Sequence, residues 1–513
     1  MSGKKIAIID IGSNSIRLVI YLKRHSGAYA ELYNFKEVAR LSSHINEKQE
    51  LTEKGIHNLV QTLNRLHKIL LFHEADEIIP VATAAIRNAS NQIEILQAIK
   101  DNNLFDIKVL SGYEEAYYGY LAVVNSTNLD TGITIDIGGG STEITLFKHG
   151  QLLHYHSFPF GAITLKQSFM KGNQLSFVER KELSHYLQEE FQSLPWLHQT
   201  NNYPVIGIGG SARNLALIHQ RKRNYPLAGL HQYQVPYDDV VMLNNMLQAQ
   251  TVDERLQIDG LSKDRVDIII PASEAIRTLM EVTSSPLFIM SNKGLRDGIF
   301  LEKLLQERGI SGFENVAEEN IFQLSKSFNV DRAHVNQVSN IARKLWEQLQ
   351  PVIIANDAYE NDLHLLEYAA QLFSIGEFIN KEASSEHTFY LLTNMSIDGV
   401  SHDERLAIAL ISSFKSRSRL IKYWESMQRM MTQEQLNRVE ILGAILKLAF
   451  NLNRTRKNVI ADLSIRILAP KSLLLQLTKK RDETYFEEQY AAKHIKHLER
   501  ALGWQITLQF ITD

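Results

Sequence analysis

The fold of this chain is decided by one stretch, Ile135-Asp136-Ile137-Gly138-Gly139-Gly140-Ser141-Thr142-Glu143. Short β-branched runs lie on both sides of it, which predicts a strand, a glycine turn and a second strand. Three consecutive glycines let backbone N–H groups converge on one point and form a nest for an anion. Acids flank this nest, and bare carboxylates repel phosphate unless a divalent cation lies between them. The stretch therefore predicts a phosphate and metal site, with an ordinary glycine hairpin as the alternative.

The same layout occurs near the N-terminus, where Asp10-Ile11-Gly12-Ser13-Asn14-Ser15 lies between two β-branched runs. Asp136, Gly138 and Ser141 each follow their counterpart in this copy by 126 positions. A repeat of this length predicts two similar lobes and not a solenoid. Two lobes that each present a phosphate loop indicate a cleft between them, in which a ligand with several phosphates is held from both sides.

These paired motifs resemble those of the exopolyphosphatase/guanosine pentaphosphate phosphohydrolase family, a branch of the actin, sugar-kinase and Hsp70 ATPase superfamily. The resemblance is strongest over residues 4–305 and is closest to the exopolyphosphatases. It implies an α/β fold with two actin-like (ribonuclease H-like) lobes and an interlobe cleft. A mainly helical HD-like domain and a small α+β C-terminal domain are expected to follow. We predict domain bounds of 1–125, 126–307, 308–453 and 454–513.

Length and composition agree with a soluble protein of several domains. A chain of 513 residues is too long for one compact core. The net charge of −3 provides no global basic field, so no nucleic-acid partner is expected. Cysteine is absent, which excludes thiol nucleophiles and cysteine metal sites. No signal peptide and no apolar run of about 18 residues are recognisable, so we expect a cytoplasmic protein without a membrane partner.

Two residues of the first lobe are candidates for catalysis. Arg87 follows the apolar strand predicted over residues 78–83, at the edge where α/β folds place ligands, although a surface arginine is the alternative. Glu114 and Glu115 begin a helix, where the helix dipole favours acids. The resemblance implies that Arg87 clamps phosphate and that Glu114 activates the attacking water. Glu115 is expected to point elsewhere, because neighbouring helical positions do not share a face.

A third glycine turn lies in the second lobe, over residues 205–214. Gly209, Gly210, Ser211 and Arg213 are plausible contacts for a distal part of the substrate, although tight strand–helix packing explains the turn equally well. Arg296 is a minor candidate for the cleft. The predicted phosphate contacts are Gly12, Ser13, Asn14, Ser15, Gly138, Gly139, Gly140, Ser141, Gly209, Gly210 and Ser211. The predicted ligands of Mg²⁺ or Mn²⁺ are Asp10, Asp136 and Glu143.

The C-terminal half is predicted to be largely helical to about residue 453, with one amphipathic helix beginning near His334 and another over His364–Ile379. The His-Asp metal pair of an HD domain is replaced by Phe373-Ser374, so we expect a scaffold, a dimer contact or a polyanion channel. Basic residues near the C-terminus form either a solvated surface or a lane for polyphosphate. They are Lys479, Lys480, Arg481, Lys493, Lys496 and Arg500.

The predicted function is hydrolysis of the terminal phosphate of inorganic polyphosphate, with a divalent metal and a glutamate-activated water. The first alternative is removal of the 5′-terminal phosphate of guanosine pentaphosphate, since the same site chemistry serves both. The second is phosphoryl transfer to a nucleotide acceptor, and the third is a nucleotide-dependent assembly protein like actin. We also expect a homodimer.

Overall fold

The computed structural model describes residues 3–102, 104–353 and 359–512. The chain divides into two compact units. The first unit contains Met1–Tyr225 and Leu230–Val316, and the second contains Pro226–Gly229 and Ala317–Asp513. The domain boundary expected after residue 307 falls near the division between the units, whereas the boundaries expected after residues 125 and 453 fall inside them.

The first unit begins with a five-stranded sheet and its helices. The elements are β1 (Gly3–Ile11), β2 (Ile16–Arg24), β3 (Tyr29–Glu37), α1 (Glu53–Phe72), β4 (Glu77–Ala82), α2 (Ala84–Arg87), α3 (Gln92–Asp101), β5 (Lys108–Val109) and α4 (Gly112–Val124). The strand order is β3-β2-β1-β4-β5. Strand β1 is antiparallel to β2 and parallel to β4. Helix α1 buries Leu59, Leu63 and Leu66, which recur at helical spacing and pack in the core under this sheet.

A six-stranded sheet with the same central pattern follows. Its elements are β6 (Thr131–Ile137), β7 (Thr142–Lys148), β8 (Gln151–Phe158), α5 (Ala162–Phe169), α6 (Phe177–Gln192), β9 (Val205–Ile208), α7 (Gly209–Lys222), β10 (Tyr233–Pro236), α8 (Tyr237–Ala249), α9 (Val252–Leu256), α10 (Ile269–Val282), β11 (Leu287–Met290) and α11 (Leu295–Arg308). The strand order is β10-β11-β9-β6-β7-β8. Strand β6 is antiparallel to β7 and parallel to β9, as β1 is to β2 and β4. The internal repeat predicted from sequence is therefore present in the sheet topology.

Helices α4 and α11 join the two sheets. One buried cluster contains Ile6 and Ile8 of β1 together with Tyr118 of α4 and Phe300 of α11. The helices cross closely at Gly298, because a Cβ there would overlap the backbone of Tyr118. The predicted boundary after residue 125 does not separate two compact units, since α4 also packs on β6, β7 and β8. This crossing carries the N-terminal ends of both helices to the region between the sheets.

The second unit is helical and ends in a small sheet. Its elements are α12 (Val316–Ser327), α13 (Arg332–Leu349), α14 (Tyr359–Leu372), α15 (Ser384–Asn394), α16 (His402–Ser412), α17 (Arg417–Glu425), α18 (Gln433–Asn451), β12 (Ile460–Ala469), β13 (Ser472–Lys479), α19 (Tyr485–Leu502) and β14 (Gln505–Thr512). The strand order is β12-β13-β14, and α19 connects the parallel strands β13 and β14. This agrees with the α+β piece predicted for the C-terminus.

The helix predicted over His364–Ile379 is wrong in its C-terminal half. Helix α14 ends at Leu372 and a separate 3₁₀ turn covers Ile375–Phe378. Gly376 explains the break, because its amide donates to Thr388 Oγ1 at 3.1 Å. A Cβ at Gly376 would overlap the neighbouring backbone, so the chain passes too close to α15 to continue as a helix there. No helix in the described ranges is long and apolar enough to cross a membrane.

Candidate active site

The two predicted phosphate loops meet at one cleft in the first unit. In each loop a glycine amide donates back to a serine carbonyl, from Gly12 to Ser15 at 3.1 Å and from Gly138 to Ser141 at 2.9 Å. The loops approach so closely that a Cβ on Gly139 would lie 2.9 Å from Ser13 Cβ. Only glycine permits this approach. The duplicated motif therefore builds two facing turns of the same backbone design.

Most of the predicted phosphate contacts line this cleft. They are Gly12, Ser13, Asn14, Ser15, Gly138, Gly139, Ser141, Gly209 and Gly210, and the three predicted metal ligands Asp10, Asp136 and Glu143 line it as well. Gly140 and Ser211 are not among the lining residues. Ser211 is buried, and its hydroxyl accepts a hydrogen bond from Arg265 at 3.2 Å. The structure thus gives Ser211 the role of holding an arginine of the cleft.

The structure contradicts the placement of Glu114 in the cleft. Its carboxylate accepts hydrogen bonds from the amide and the hydroxyl of Ser111, both at 2.9 Å, and the Ser111 hydroxyl accepts from the Glu114 amide. This capping box turns Glu114 back over the helix end, where it pairs with Lys108 at 2.6 Å. The next residue, Glu115, lines the cleft instead. The Ser-x-x-Glu spacing was the sequence signal that could have shown this.

Arg87 lies behind Glu115 and is not among the residues that line the cleft. Its Nη1 atom is 2.9 Å from Glu115 Oε2 and also donates to the carbonyl of Leu110 at 2.9 Å. Burial raises the pKa of Glu115, and the charge of Arg87 opposes that rise. The direct phosphate clamp predicted for Arg87 is therefore not what the structure shows. Arg87 orients the Glu115 carboxylate and favours its ionised form.

Three further carboxylates continue from Glu115 along the cleft. Glu143 is buried and accepts a hydrogen bond from Ser157 Oγ at 2.9 Å. Burial raises its pKa well above the ordinary value, and the charges of Glu115 and Asp136 raise it further. Burial and then the charge of Asp10 raise the pKa of Asp136 to about 6. These acids are close enough to repel one another, so this part of the cleft has an excess of negative charge that a cation or a proton relieves.

Gly209 holds the next turn tightly against this acidic row. Its φ of 83° lies in the left-handed region, and a Cβ there would lie 2.6 Å from Asp136 Oδ1. A side chain at position 209 would therefore be strained and would also displace the carboxylate. The glycine turn is therefore required for packing, and Gly209 and Gly210 also line the cleft.

Four arginines provide the opposite charge, namely Arg17, Arg213, Arg265 and Arg296. Arg296 Nη1 lies 2.9 Å from Asp10 Oδ2. Burial lowers the pKa of Arg17 to about 10, and the charges of the other three arginines lower it further. Four guanidinium groups this close to one another form a site suited to several phosphates.

The sequence interpretation missed both Arg17 and Arg265. The repeat could have revealed Arg17, because it precedes Glu143 by the same 126 positions. In the sheets Arg17 pairs across from Asp10, as Glu143 pairs across from Asp136. The first loop thus carries a cation where the second carries an acid. Arg265 had no such signal, because it reaches the cleft only through tertiary folding.

The donor set fits one kind of metal ion. In the part of the chain that the structure describes, no three His, Asp or Glu side chains form a complete ligand group. Mg²⁺ typically binds one or two carboxylates, several waters and substrate phosphates. The crowded carboxylates of Asp136 and Glu143 fit an ion held in that way and do not fit an all-protein cage.

Fold and site together define a phosphoryl hydrolase with an actin-like core. A model of the Ppx/GppA phosphatase family matches residues 19–307, and a model of domain III of the same phosphatases matches residues 316–495. The chain belongs to the Ppx/GppA phosphatase family, whose members are hydrolases that act on phosphoric anhydride bonds. The family and the fold class predicted from the sequence are confirmed.

The similar proteins include both guanosine polyphosphate pyrophosphatases and exopolyphosphatases. A guanosine-5′-triphosphate,3′-diphosphate pyrophosphatase of Vibrio vulnificus (strain YJ016) is 23% identical over 461 residues, which cover 88% of this chain and 87% of that protein. An exopolyphosphatase structure from Cytophaga hutchinsonii has a TM-score of 0.55 and 25% identity, covering 60% of this chain and 100% of its own. The Aquifex aeolicus family member has a TM-score of 0.53 and 25% identity, covering 60% and 99%.

Proposed function

We propose that this chain is an exopolyphosphatase, which releases the terminal phosphate of inorganic polyphosphate as orthophosphate. The observation that carries the proposal is the position of one buried carboxylate, Glu115, in the same cleft as two glycine loops and four arginines. A phosphate chain offers repeated anionic oxygens to the amides and guanidinium groups, and its end reaches the carboxylate. The cleft supplies what phosphoryl transfer mainly needs, which is positioning and charge stabilisation.

The composition of the cleft favours an inorganic chain over a nucleotide. Among the described residues that line it, none is aromatic, so the cleft offers no ring on which a base stacks. The charges of Arg213, Arg265 and Arg296 act on Asp136, whereas Glu115 is held by Arg87 and lies beside Glu143. We infer that the terminal phosphate lies at the loops and that the following phosphates lie along Arg213 and Arg265.

In the proposed reaction, Glu115 accepts a proton from a water molecule whose oxygen attacks the terminal phosphorus. The phosphoric anhydride bond to the next phosphate breaks, and the chain leaves one unit shorter as orthophosphate is formed. Arg87 orients the Glu115 carboxylate and favours its ionised form, and the loop amides bind the equatorial oxygens of the transferring phosphoryl group. The raised pKa of Glu115 makes it a better proton acceptor than an exposed glutamate.

We further propose Mg²⁺ or Mn²⁺ as the cofactor. Asp136 and Glu143 would hold it directly or through its waters, and Asp10 would contribute as far as its pairing with Arg296 permits. When bound, the ion supplies charge neutralisation at the phosphate oxygens. The expected homodimer and the cytoplasmic location stay predictions.

The second candidate function is hydrolysis of the 5′-terminal phosphate of guanosine pentaphosphate. The similarity to the Vibrio vulnificus protein extends over 88% of this chain, and that protein is named for a guanosine polyphosphate. The loops, Glu115 and the arginines serve this reaction equally well. Transfer to a nucleotide acceptor is a weaker alternative, which the assay below also addresses.

One assay separates these functions. Orthophosphate release is measured from polyphosphates of several lengths and from guanosine pentaphosphate, with Mg²⁺, with Mn²⁺ and with a chelator. We expect the highest kcat/KM for polyphosphate, and we expect the chelator to abolish release. A higher kcat/KM for guanosine pentaphosphate would replace our proposal by the second candidate. Formation of ATP from added ADP, in place of orthophosphate, would establish a phosphotransferase.

A further inference from the structure

The segment that carries Arg265 into the cleft is fixed along its length. This segment, residues 262–267, follows α9 and contains a 3₁₀ turn over Lys263–Arg265. Side chains of α5, α7 and α9, which pack with the six-stranded sheet, contact four of its residues. These contacts are Ser262 with Asn214, Arg265 with Ser211, Val266 with Arg255 and Asp267 with Lys166. The helices around the segment thus hold it without help from the five-stranded sheet.

A further contact comes from the other sheet. Lys36 lies on β3, the edge strand of the five-stranded sheet, and its Nζ atom is 2.6 Å from Asp264 Oδ2. The side chains are 32% and 20% exposed, so water screens the pair only in part. Burial alone would raise the pKa of Asp264, but the hydrogen bond and the charge of Lys36 lower it below its ordinary value. This ion pair therefore keeps Asp264 ionised and compensates its charge.

The strand register places Lys36 at the rim of the cleft. Asp10, Arg17 and Lys36 lie directly opposite one another on β1, β2 and β3. Residues in such a row lie on the same face of an antiparallel ladder. Asp10 and Arg17 line the cleft, whereas Lys36, at the edge of the sheet, is not among the lining residues. Lys36 is therefore next to the cleft, and its ammonium group contacts Asp264 there.

The partner of Lys36 is next to a cation of the cleft. Burial lowers the pKa of Arg265, and the charge of Asp264 opposes that fall. The Arg265 guanidinium group cannot move far from this carboxylate, because a Cβ on Gly210 would overlap it on the other side. An uncompensated carboxylate at Asp264 would repel any phosphate bound at Arg265. Lys36 removes that repulsion without entering the cleft.

We propose that Lys36 is a positioning residue for phosphate binding at Arg265, and that it acts by neutralising Asp264 and not by touching the substrate. The inference rests on the proposed function in one respect, namely that phosphates beyond the terminal one lie along Arg265. Substrate binding then depends on Lys36. The hydrolytic step does not, since Arg87 orients Glu115 from a different part of the unit.

The test is steady-state release of orthophosphate from a long polyphosphate by variants of the full-length chain. In Lys36→Ala the KM should rise by about three- to fivefold with an unchanged kcat, because one partly exposed ion pair is lost and the chemical step is not touched. Lys36→Arg keeps the positive charge and should restore most of the affinity. The difference between Lys36→Ala and the natural chain should shrink at high ionic strength, since salt screens the freed carboxylate.

A double variant distinguishes positioning from direct contact. Adding Asp264→Asn to Lys36→Ala removes the carboxylate that repels the phosphate chain, so the KM should return towards that of the natural chain. If the double variant binds as weakly as Lys36→Ala, the proposal is overturned, because an ammonium group that touched the substrate would give that result. Lys4→Ala is the matched control, since it removes an ion pair with Glu77 at 2.7 Å on the same sheet and should leave the KM unchanged. Thermal unfolding checks that each variant is folded.

The outcomes separate this inference from the proposed function. A higher kcat/KM of the natural chain for guanosine pentaphosphate than for polyphosphate would refute the proposed function, and the Lys36 variants would then be compared on that nucleotide. An unchanged KM in Lys36→Ala on the preferred substrate would overturn the inference. A lower kcat with an unchanged KM would overturn it as well, since it would place the effect of Lys36 on the chemical step.

Discussion

Replacing Glu115 by glutamine is expected to remove most of the phosphatase activity while leaving the protein folded. Glutamine has nearly the same shape and keeps an oxygen beside the Arg87 guanidinium group, but it does not accept a proton from water. The Arg87 side chain also keeps its hydrogen bond to the carbonyl of Leu110. The change therefore removes the proton acceptor with little change to the packing behind it.

The magnitude follows from the role of a general base. Loss of such a group typically lowers the rate by about 10²–10⁴-fold. At about 1.36 kcal/mol for each tenfold change, this is roughly 3–5 kcal/mol of transition-state stabilisation. The KM should change little, since Glu115 does not attract the substrate. The free energy of unfolding should change by less than about 2 kcal/mol, because the contact with Arg87 Nη1 and that atom's hydrogen bond to the Leu110 carbonyl are both kept.

Glu114→Gln is the matched control one residue away. Glutamine still completes the capping box with Ser111, and the pair that Glu114 makes with Lys108 is half exposed. Such a pair contributes at most about 1 kcal/mol. Initial rates of orthophosphate release give kcat and KM for both variants. Full activity in Glu115→Gln, together with a large loss in Glu114→Gln, would refute the reasoning and restore Glu114 as the base.

Three further changes test other parts of the molecule. Ser157→Ala removes the hydroxyl that donates to Glu143 at 2.9 Å, and steady-state kinetics should show activity about tenfold lower, since a hydrogen bond that orients a proposed metal ligand typically contributes about tenfold or more. Gly209→Ala places a methyl group against Asp136 at a φ of 83°, and urea unfolding should show a loss of about 1 kcal/mol or more. Burial lowers the pKa of His334 to about 4. The pKa of a histidine in the unfolded chain is about 6.5, so below that pH the unfolded chain binds a proton that the folded chain does not. His334 should therefore contribute a fall of about 2 kcal/mol in the free energy of unfolding from neutral pH to pH 5, as measured by urea unfolding. His494 and His497, whose pKa values burial also lowers to about 4, add to this fall.

Each of these changes has a control within the chain. Ser157→Thr keeps the hydroxyl and should retain most of the activity, so an equal loss in both variants would point to packing instead. Gly150→Ala places alanine at a similarly strained φ of 67°, but its methyl group would contact no neighbouring atom. It should therefore lower the free energy of unfolding less than Gly209→Ala does. His334→Gln should reduce the dependence of stability on pH by the contribution of this one histidine. An unchanged slope would show that another group is responsible.

The loops and their acids were predictable because their chemistry is local. In each lobe a glycine amide donates a hydrogen bond to the carbonyl of a serine three residues later. Such a turn requires glycine at defined positions, so the same glycines recur in both copies. Alternation in the flanking strands then places Asp10, Asp136 and Glu143 at the cleft. The two-lobed fold follows from the same repeat.

Two errors show what local patterns leave open. Glu114 and Glu115 are adjacent acids at one helix start, and only the hydrogen bonds with Ser111 decide which of them turns back. The capping spacing Ser111-x-x-Glu114 is present in the sequence, and it indicates that Glu114 and not Glu115 turns back over the helix end. Arg87 was placed correctly after its strand, yet its partner Glu115 arrives from a different element.

The sequence by itself determined the duplicated loops, the acids on them and the class of chemistry, since these depend on residues within a few positions of one another. Only the tertiary structure decided which glutamate enters the cleft and that four arginines gather there. Arg17, Arg213, Arg265 and Arg296 lie on separate parts of the chain, and the sheet order and the crossing of α4 and α11 determine where those parts meet. Charges that repel one another are brought together at that point because the apolar packing around them is strong enough to hold them there.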